Sequence, residues 1–288
     1  RMDNAPYGKI QYGMVYKHLF DKHNYGRPLI GFIEDLDNAK LKEFKAFYDK
    51  WYMPNNAVLV VAGEFEKREA KSLIKDYFEP IPSRTLPNRI KISEPERTIE
   101  KRVTEYDSNI QLPMIALMYK TPSMRDKDAL VLDVISTILS NGNSSRLQKK
   151  MVDDKKKALQ VFSFNRPLVE YSVYTIGAIP LGENSLDDLI VEMDEEINTL
   201  QTELISDEDL QKVRNKFENR FVSSNSSIQG IASSLASNYM LIGDTDRINS
   251  ELELVMSITK EDIRKVAKKY LAKNRRIVID YLPEEKKK

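Results

Sequence analysis

His18 and His23 are the only histidines in the chain, and imidazole is the side chain best suited to zinc ligation and to proton transfer near neutral pH. Their spacing of five argues against joint ligation. On one helix they would point about 140° apart, whereas ligands four residues apart share a face. They read as ordinary surface histidines, and no metal ligand is assigned. The acid-rich run DDLIVEMDEEI, 187–197, could attract cations, but Leu189, Ile190, Met193 and Ile197 form an apolar helix face and leave the acids to water. NGNSSRL, 141–147, offers backbone donors and Arg146 to an anion. One glycine is thin material for such a cradle, and a loop entering a helix is the simpler reading. The chain has no cysteine, which removes thiol nucleophiles, disulfides and thiolate metal sites and suits cytoplasm or periplasm equally. It has no Gly-rich nucleotide fingerprint and no nucleophile motif. No catalytic or substrate-binding residue is assigned from the residues alone.

The elements that would position any site follow from periodicity. The 288 residues, 41% of them hydrophobic, can bury one large core or two medium ones. Lys plus Arg number 45 against 44 Asp plus Glu, a net charge of +1, so nothing favours nucleic acid or an anionic membrane as partner. There is no apolar run of about 18 residues, and no membrane span is expected. The chain opens on Arg1 without a signal-like segment, which predicts a piece of a longer protein.

KIQYGMVYKHLFDK (9–22) reads as a helix stopped by HNYGRP. NAKLKEFKAFYDKWY (38–52) reads as a helix with Leu41, Phe44, Phe47, Tyr48 and Trp51 on one face, running through Pro54, Asn55 and Asn56 into a buried strand, 57–62. KREAKSLIKDYFEPIP is a helix closed by prolines, and 83–95 is a polar linker. Beyond it RTIEKRVTEYD and IQLPMIALMYKTP read as strands, the second bounded by Pro113, before the helix KDALVLDVISTILS, opened by Ser123 with Asp126. SRLQKKMVDD is a short helix; ALQVFSFNRP and EYSVYTIGAIP are strands. Helices are expected over 185–203, 207–222, 228–242 and 260–271, with caps at Ser206 and Thr259, then a strand over 276–282 and a disordered tail EEKKK. The order argues for an α+β fold and against a doubly wound parallel sheet.

The helix, stop and strand around WYMPNNAVLVV occur twice. At an offset of 219 residues, KEDIRKVAKKYLAKNRRIVID aligns without gaps on LKEFKAFYDKWYMPNNAVLVV. Glu43 falls on Asp262, Phe44 on Ile263, Phe47 on Val266, Trp51 on Tyr270 and Asn55 on Asn274. The match is one of residue class more than identity, a lead toward internal duplication.

Several segments together resemble the pitrilysin/insulinase zinc metallopeptidases, or inverzincins, in the branch that includes mitochondrial processing peptidase. They are RMDNAPYG (1–8), HNYGRPLIGFIEDL (23–36), FYDKWYMPNNAVLVVAGEF (47–65), YFEPIP (77–82) and SSRL (144–147). The resemblance runs in order over nearly the whole chain. It implies two similar α+β domains, each a mostly antiparallel sheet packed by helices, and the repeat offset suits such a duplication. On that reading 1–82 is the remnant of an incomplete first domain, 83–97 a linker, 98–282 the second domain and 283–288 a charged tail, with about 120 residues of the first domain preceding Arg1.

In the family an H-x-x-E-H helix supplies two zinc ligands and the general base, and a glutamate further on is the third ligand. H-x-x-E-H does not occur here. The resemblance therefore implies zinc in the full-length parent, none in this fragment, and no activity of the fragment alone. Many members also carry, after S-R-L-x-x-x-L, an arginine and seven residues later a tyrosine that bind the substrate backbone. Counting from Ser145, Arg146 and Leu147, those positions hold Val152 and Leu159, neither able to donate a side-chain hydrogen bond. The partners implied are a peptide substrate and a second family subunit or a second copy. The expectation is the C-terminal portion of a zinc-metallopeptidase subunit cleaving peptides in a shared chamber, with a non-catalytic scaffold or peptide-holding subunit as the alternative and an unrelated α+β binding domain as a third.

Overall fold

The computed structural model describes residues 5–284; the tail from 285 onward and the first four residues of the RMDNAPYG segment lie outside the described residues. Element α1 (Gly8–Gln11) is followed by a separate 3-10 turn, Met14–His18. The single helix expected over 9–22 is thus broken. Gly13 between them adopts φ 75°, a left-handed conformation that ends a right-handed helix. Then come α2 (Ile33–Asn38), α3 (Leu41–Trp51) and α4 (Lys67–Phe78).

The expected strand over 57–62 pairs with no other strand among the described residues. Its backbone runs on after a 3-10 turn, Pro54–Asn56, but a strand exists as such only when a neighbour completes its ladder.

After the irregular 83–95 stretch, β1 (Lys101–Asp107), β2 (Met114–Pro122) and α5 (Lys127–Ser140) follow. The cap of α5 is Asp126, whose carboxylate accepts from Asp128 N at 2.9 Å, in place of the expected Ser123. The Ser123 hydroxyl donates instead to the Val169 carbonyl at 2.6 Å. The strands β3 (Ala158–Arg166) and β4 (Tyr171–Pro180) lead to α6 (Leu186–Thr202), α7 (Asp207–Ser224), α8 (Ile228–Ser237) and α9 (Arg247–Met256). Periodicity had not indicated α9. The chain closes with α10 (Lys260–Tyr270) and β5 (Arg276–Pro283).

The fold is α+β. One five-stranded sheet runs in the order β1-β5-β2-β4-β3, with β1 and β5 parallel and every other pair antiparallel. Both faces are buried, which is why β2 reads as a continuous apolar run. One face carries α5, α6 and α10, whose Leu132, Ile135, Leu189, Met193, Ile263 and Val266 pack on Ile115, Leu117 and Val278. On the other face Ile10, Val15, Tyr16, Leu19 and Phe20 cover Met118, Val173 and Ile277.

The chain divides into two compact units. The first comprises residues up to Leu29, Ser93–Phe217 and the chain from Glu253; the second is Ile30–Ile92 with Glu218–Leu252. In the second unit the apolar face of α3 stays exposed, Leu41 at 71% and Phe47 at 59%. The repeat offset maps α3 onto α10 end for end, and the turn Pro54–Asn56 onto the turn Lys273–Arg275.

Candidate functional site

The positions singled out by family spacing sit where α5 gives way to β3. The expected ordinary helix over 145–154 is a π-helical turn, Gln148–Asp154, with Lys155 N donating to Lys150 O at 3.0 Å. Such turns insert one residue and recur at functional sites. Lys156 then takes φ 49°, and the ladder is interrupted by a bulge between Ala158 and Gln160. These irregularities orient the two positions differently. Val152 is half-buried against the helical core, whereas Leu159 is 51% exposed on the bulge.

Past the bulge, the side chains of Gln160, Phe162, Phe164 and Arg166 alternate onto the sheet face opposite α5, facing Ile179, Gly177, Thr175 and Val173 of β4. There a cleft of about 620 Å³ opens between β3 and α1. Its apolar wall is Tyr7, Ile10, Met114, Phe162, Phe164 and Ile179. The two phenyl rings stack with centroids 6.1 Å apart. Gly177 is required here, since a Cβ would lie 2.3 Å from the Phe162 ring and 2.7 Å from the Ile115 carbonyl. Gln11, Gln160 and Arg166 supply the polar rim. Arg166 donates to the Gln11 carbonyl at 3.2 Å and lies 5.9 Å from the Tyr16 ring centre. Among the described residues no carboxylate pairs with it.

The free edge of β3 is partly closed. Ser163 N donates to the Ser140 hydroxyl, which itself donates to Ser163 O at 3.2 Å. One side chain thereby satisfies both outward backbone groups in mid-strand, and an added strand would have to break them.

His23 is buried and His18 half-buried, so neither is a freely exposed histidine. His23 is 8% exposed; its Nδ1 accepts from Tyr25 N and caps the turn Asn24–Gly26, while its Nε2 lies 3.2 Å from Glu170. His18 Nε2 lies 2.5 Å from Glu105. Burial opposes ionisation of Glu105, yet Lys17 and His18 hold its carboxyl below the usual range. Among the described residues no group of three His, Cys, Asp or Glu side chains could hold a metal ion. The zinc that the resemblance implies does not fit this chain's described residues.

Other polar residues proved structural. The acids of 187–197 are not all solvated, because partners reach them from other elements. Glu192 is buried and binds Lys155 at 2.6 Å and Lys157 at 2.7 Å; burial works against its charge, but these ammonium groups bring its pKa to about 2. Asp194 binds the buried Arg276, and Arg146 lies 3.1 Å from Asp209, so it is not a free anion ligand. Glu94, in the segment read as linker, is buried and accepts from the backbone N–H groups of Asp21, Lys22 and His23 at 2.7–2.9 Å. Sequence reasoning missed both Glu94 and the aromatic cleft. The alternation F-S-F before Asn165 and Arg166 was the available signal for the cleft.

The family model of the peptidase M16 inactive domain matches residues 38–217. The chain belongs to the peptidase M16 family. It is 28% identical over 273 residues to zinc protease PqqE of Helicobacter pylori, covering 94% of this chain and 61% of that protein. Probable zinc protease PqqL of Escherichia coli is 25% identical over 144 residues, 49% of this chain and 15% of that one. Among solved structures, a protease from Helicobacter pylori superposes with a TM-score of 0.86 at 27% identity, over 98% of this chain and 68% of that one. The periplasmic protease PqqL of Escherichia coli, at TM-score 0.75 and 15% identity over 96% of this M16 chain and 32% of that one, shares the fold. The resemblance drawn from the ordered segments is thereby borne out, as is the α+β fold. The M16 chain spans about 61% of the length of its Helicobacter relative.

Proposed function

We propose that the chain is the C-terminal portion of a zinc-metallopeptidase subunit, contributing the zinc-free wall of a peptide-binding chamber formed with a second subunit or a second copy. The observation that carries this is the match to the inactive-domain family model over 38–217. The names of relatives called zinc proteases support it. In this reading residues 1–82 belong to an incomplete first domain, 83–97 to a linker and 98–282 to the second domain. Zinc, when bound elsewhere in the longer protein or its partner, supplies an activated water for hydrolysis; this chain's part is to hold and orient peptide.

Val152 and Leu159 favour a second reading, a non-catalytic subunit that scaffolds or holds peptides. Neither can fix a substrate carbonyl, and a lost charge-assisted hydrogen bond of about 1.5–3 kcal/mol weakens binding about ten- to a hundredfold. The test is to assay the longer protein on a quenched peptide, alone and with candidate partner chains, then with Val152→Arg and Leu159→Tyr together. The first reading expects little activity alone and a gain with a partner or with the double substitution. Inactivity in every combination supports the holding role. Full activity of the unmodified protein alone, insensitive to any partner, would sink the division of labour.

A further inference from the structure

We propose that the cleft between β3 and α1 is a side-chain recognition site for peptides that present a large apolar residue beside a carboxylate. The inference rests on the reading above only in taking the occupant to be a peptide. At about 620 Å³ the cleft lies within the ~300–1,000 Å³ range of binding sites, and its apolar wall with a few polar groups has their composition. Two stacked phenyl rings, Phe162 and Phe164, form a wall on which an aromatic or long aliphatic side chain can pack.

The polar end decides the charge of the occupant. Among the described residues Arg166 is the one charged side chain lining the cleft, and no acid lines it. Its guanidinium is held by the Gln11 carbonyl and the Tyr16 ring, contacts that position it without neutralising it. A carboxylate reaching it gains a charge-assisted hydrogen bond from a donor already oriented. The Ser140 hydroxyl bridging Ser163 N and O disfavours main-chain pairing along β3. Recognition therefore falls on side chains entering from the sheet face, and selectivity comes from the pairing of an apolar with an acidic side chain.

The experiment uses two fluorescein-labelled heptapeptides, Gly-Ser-Phe-Leu-Glu-Gly-Ser and the same peptide with Gln for Glu, titrated with the 288-residue chain and followed by anisotropy. The Glu peptide should bind saturably and about tenfold more tightly than the Gln peptide. Arg166→Gln should erase that difference by weakening the Glu peptide alone, and Phe164→Ser should weaken both. Gln160→Glu, at an exposed rim position, supplies a second variant that leaves the Arg166 contacts in place and should reduce the Glu preference; thermal melts establish that each variant is folded. Equal affinities for the two peptides, or no saturable binding of the Glu peptide, would overturn the proposal. Because binding is read on this chain without zinc or partner, its failure is separable from failure of the hydrolysis assay, which leaves a measured peptide preference intact.

Discussion

Lys156 and Glu192 show what single residues contribute around the start of β3. At φ 49° a lysine is strained in a way glycine is not, although glycine costs more unfolded-chain entropy. Lys156→Gly should therefore raise stability by about 0.5 kcal/mol in urea unfolding, and a clear loss would show that the left-handed turn is relaxed. Glu192 is buried beside Lys155 and Lys157 with a folded pKa of about 2, below its ordinary 4.5. A depressed carboxylate pKa adds stability above pH 4.5, and that contribution is lost as pH falls toward 2. Glu192→Gln should cost about 3 kcal/mol at pH 7, and the gap to the unmodified chain should narrow in unfolding curves taken below pH 4.5. A gap that stays constant down to pH 3 would mean that the lysines do not stabilise the charged form.

The elements repeat more faithfully than the residues do. At α10 the Thr259 hydroxyl accepts from Asp262 N at 3.1 Å while Asp262 accepts from Thr259 N at 3.0 Å, a reciprocal cap. Its counterpart α3 keeps only one half, Lys40 N donating to Glu43 at 2.8 Å. Thr259→Ala should destabilise the chain by about 1 kcal/mol, whereas Lys40→Thr should be neutral or stabilising in the same melts. The reverse order would mean that these caps do not set the helix starts. Near the start of α8, Gly230 permits the close approach of the Ser224 carbonyl, from which a Cβ would lie 1.8 Å. Apolar periodicity identified α3, α5, α6 and α10 well. It could not see the break at Gly13, the π-helical turn or the β3 bulge, since each changes backbone geometry without changing the apolar pattern.

For the whole molecule, the two units predict separable responses. Residues 83–92 carry no helix or strand, whereas Glu94 is tied to three backbone donors. Limited proteolysis should therefore cut first within 83–92 and spare the sheet-bearing unit; first cuts inside β2 or α5 would contradict this. Dialysed against buffer after exposure to zinc, the chain should hold well under one zinc per molecule by elemental analysis, since tight sites need about three protein ligands. One tightly held zinc, released by His18→Ala or His23→Ala, would refute that expectation.

The α+β class, the element order after residue 98 apart from α9, the internal offset and the family were legible in the chain alone, because these depend on local periodicity and the order of short motifs. Tertiary structure decided which polar residues are structural. Glu94, Glu192 and His23 read as solvent-facing until partners from distant segments converge on them, and no local pattern encodes a contact across 71 residues. The same is true of the cleft: Phe162 and Arg166 lie close in sequence, but the opposing wall comes from α1 and the floor from β2 and β4. Whether 57–62 becomes a strand is also a tertiary matter, because its apolar run specifies a buried segment while the hydrogen-bonding neighbour must come from elsewhere.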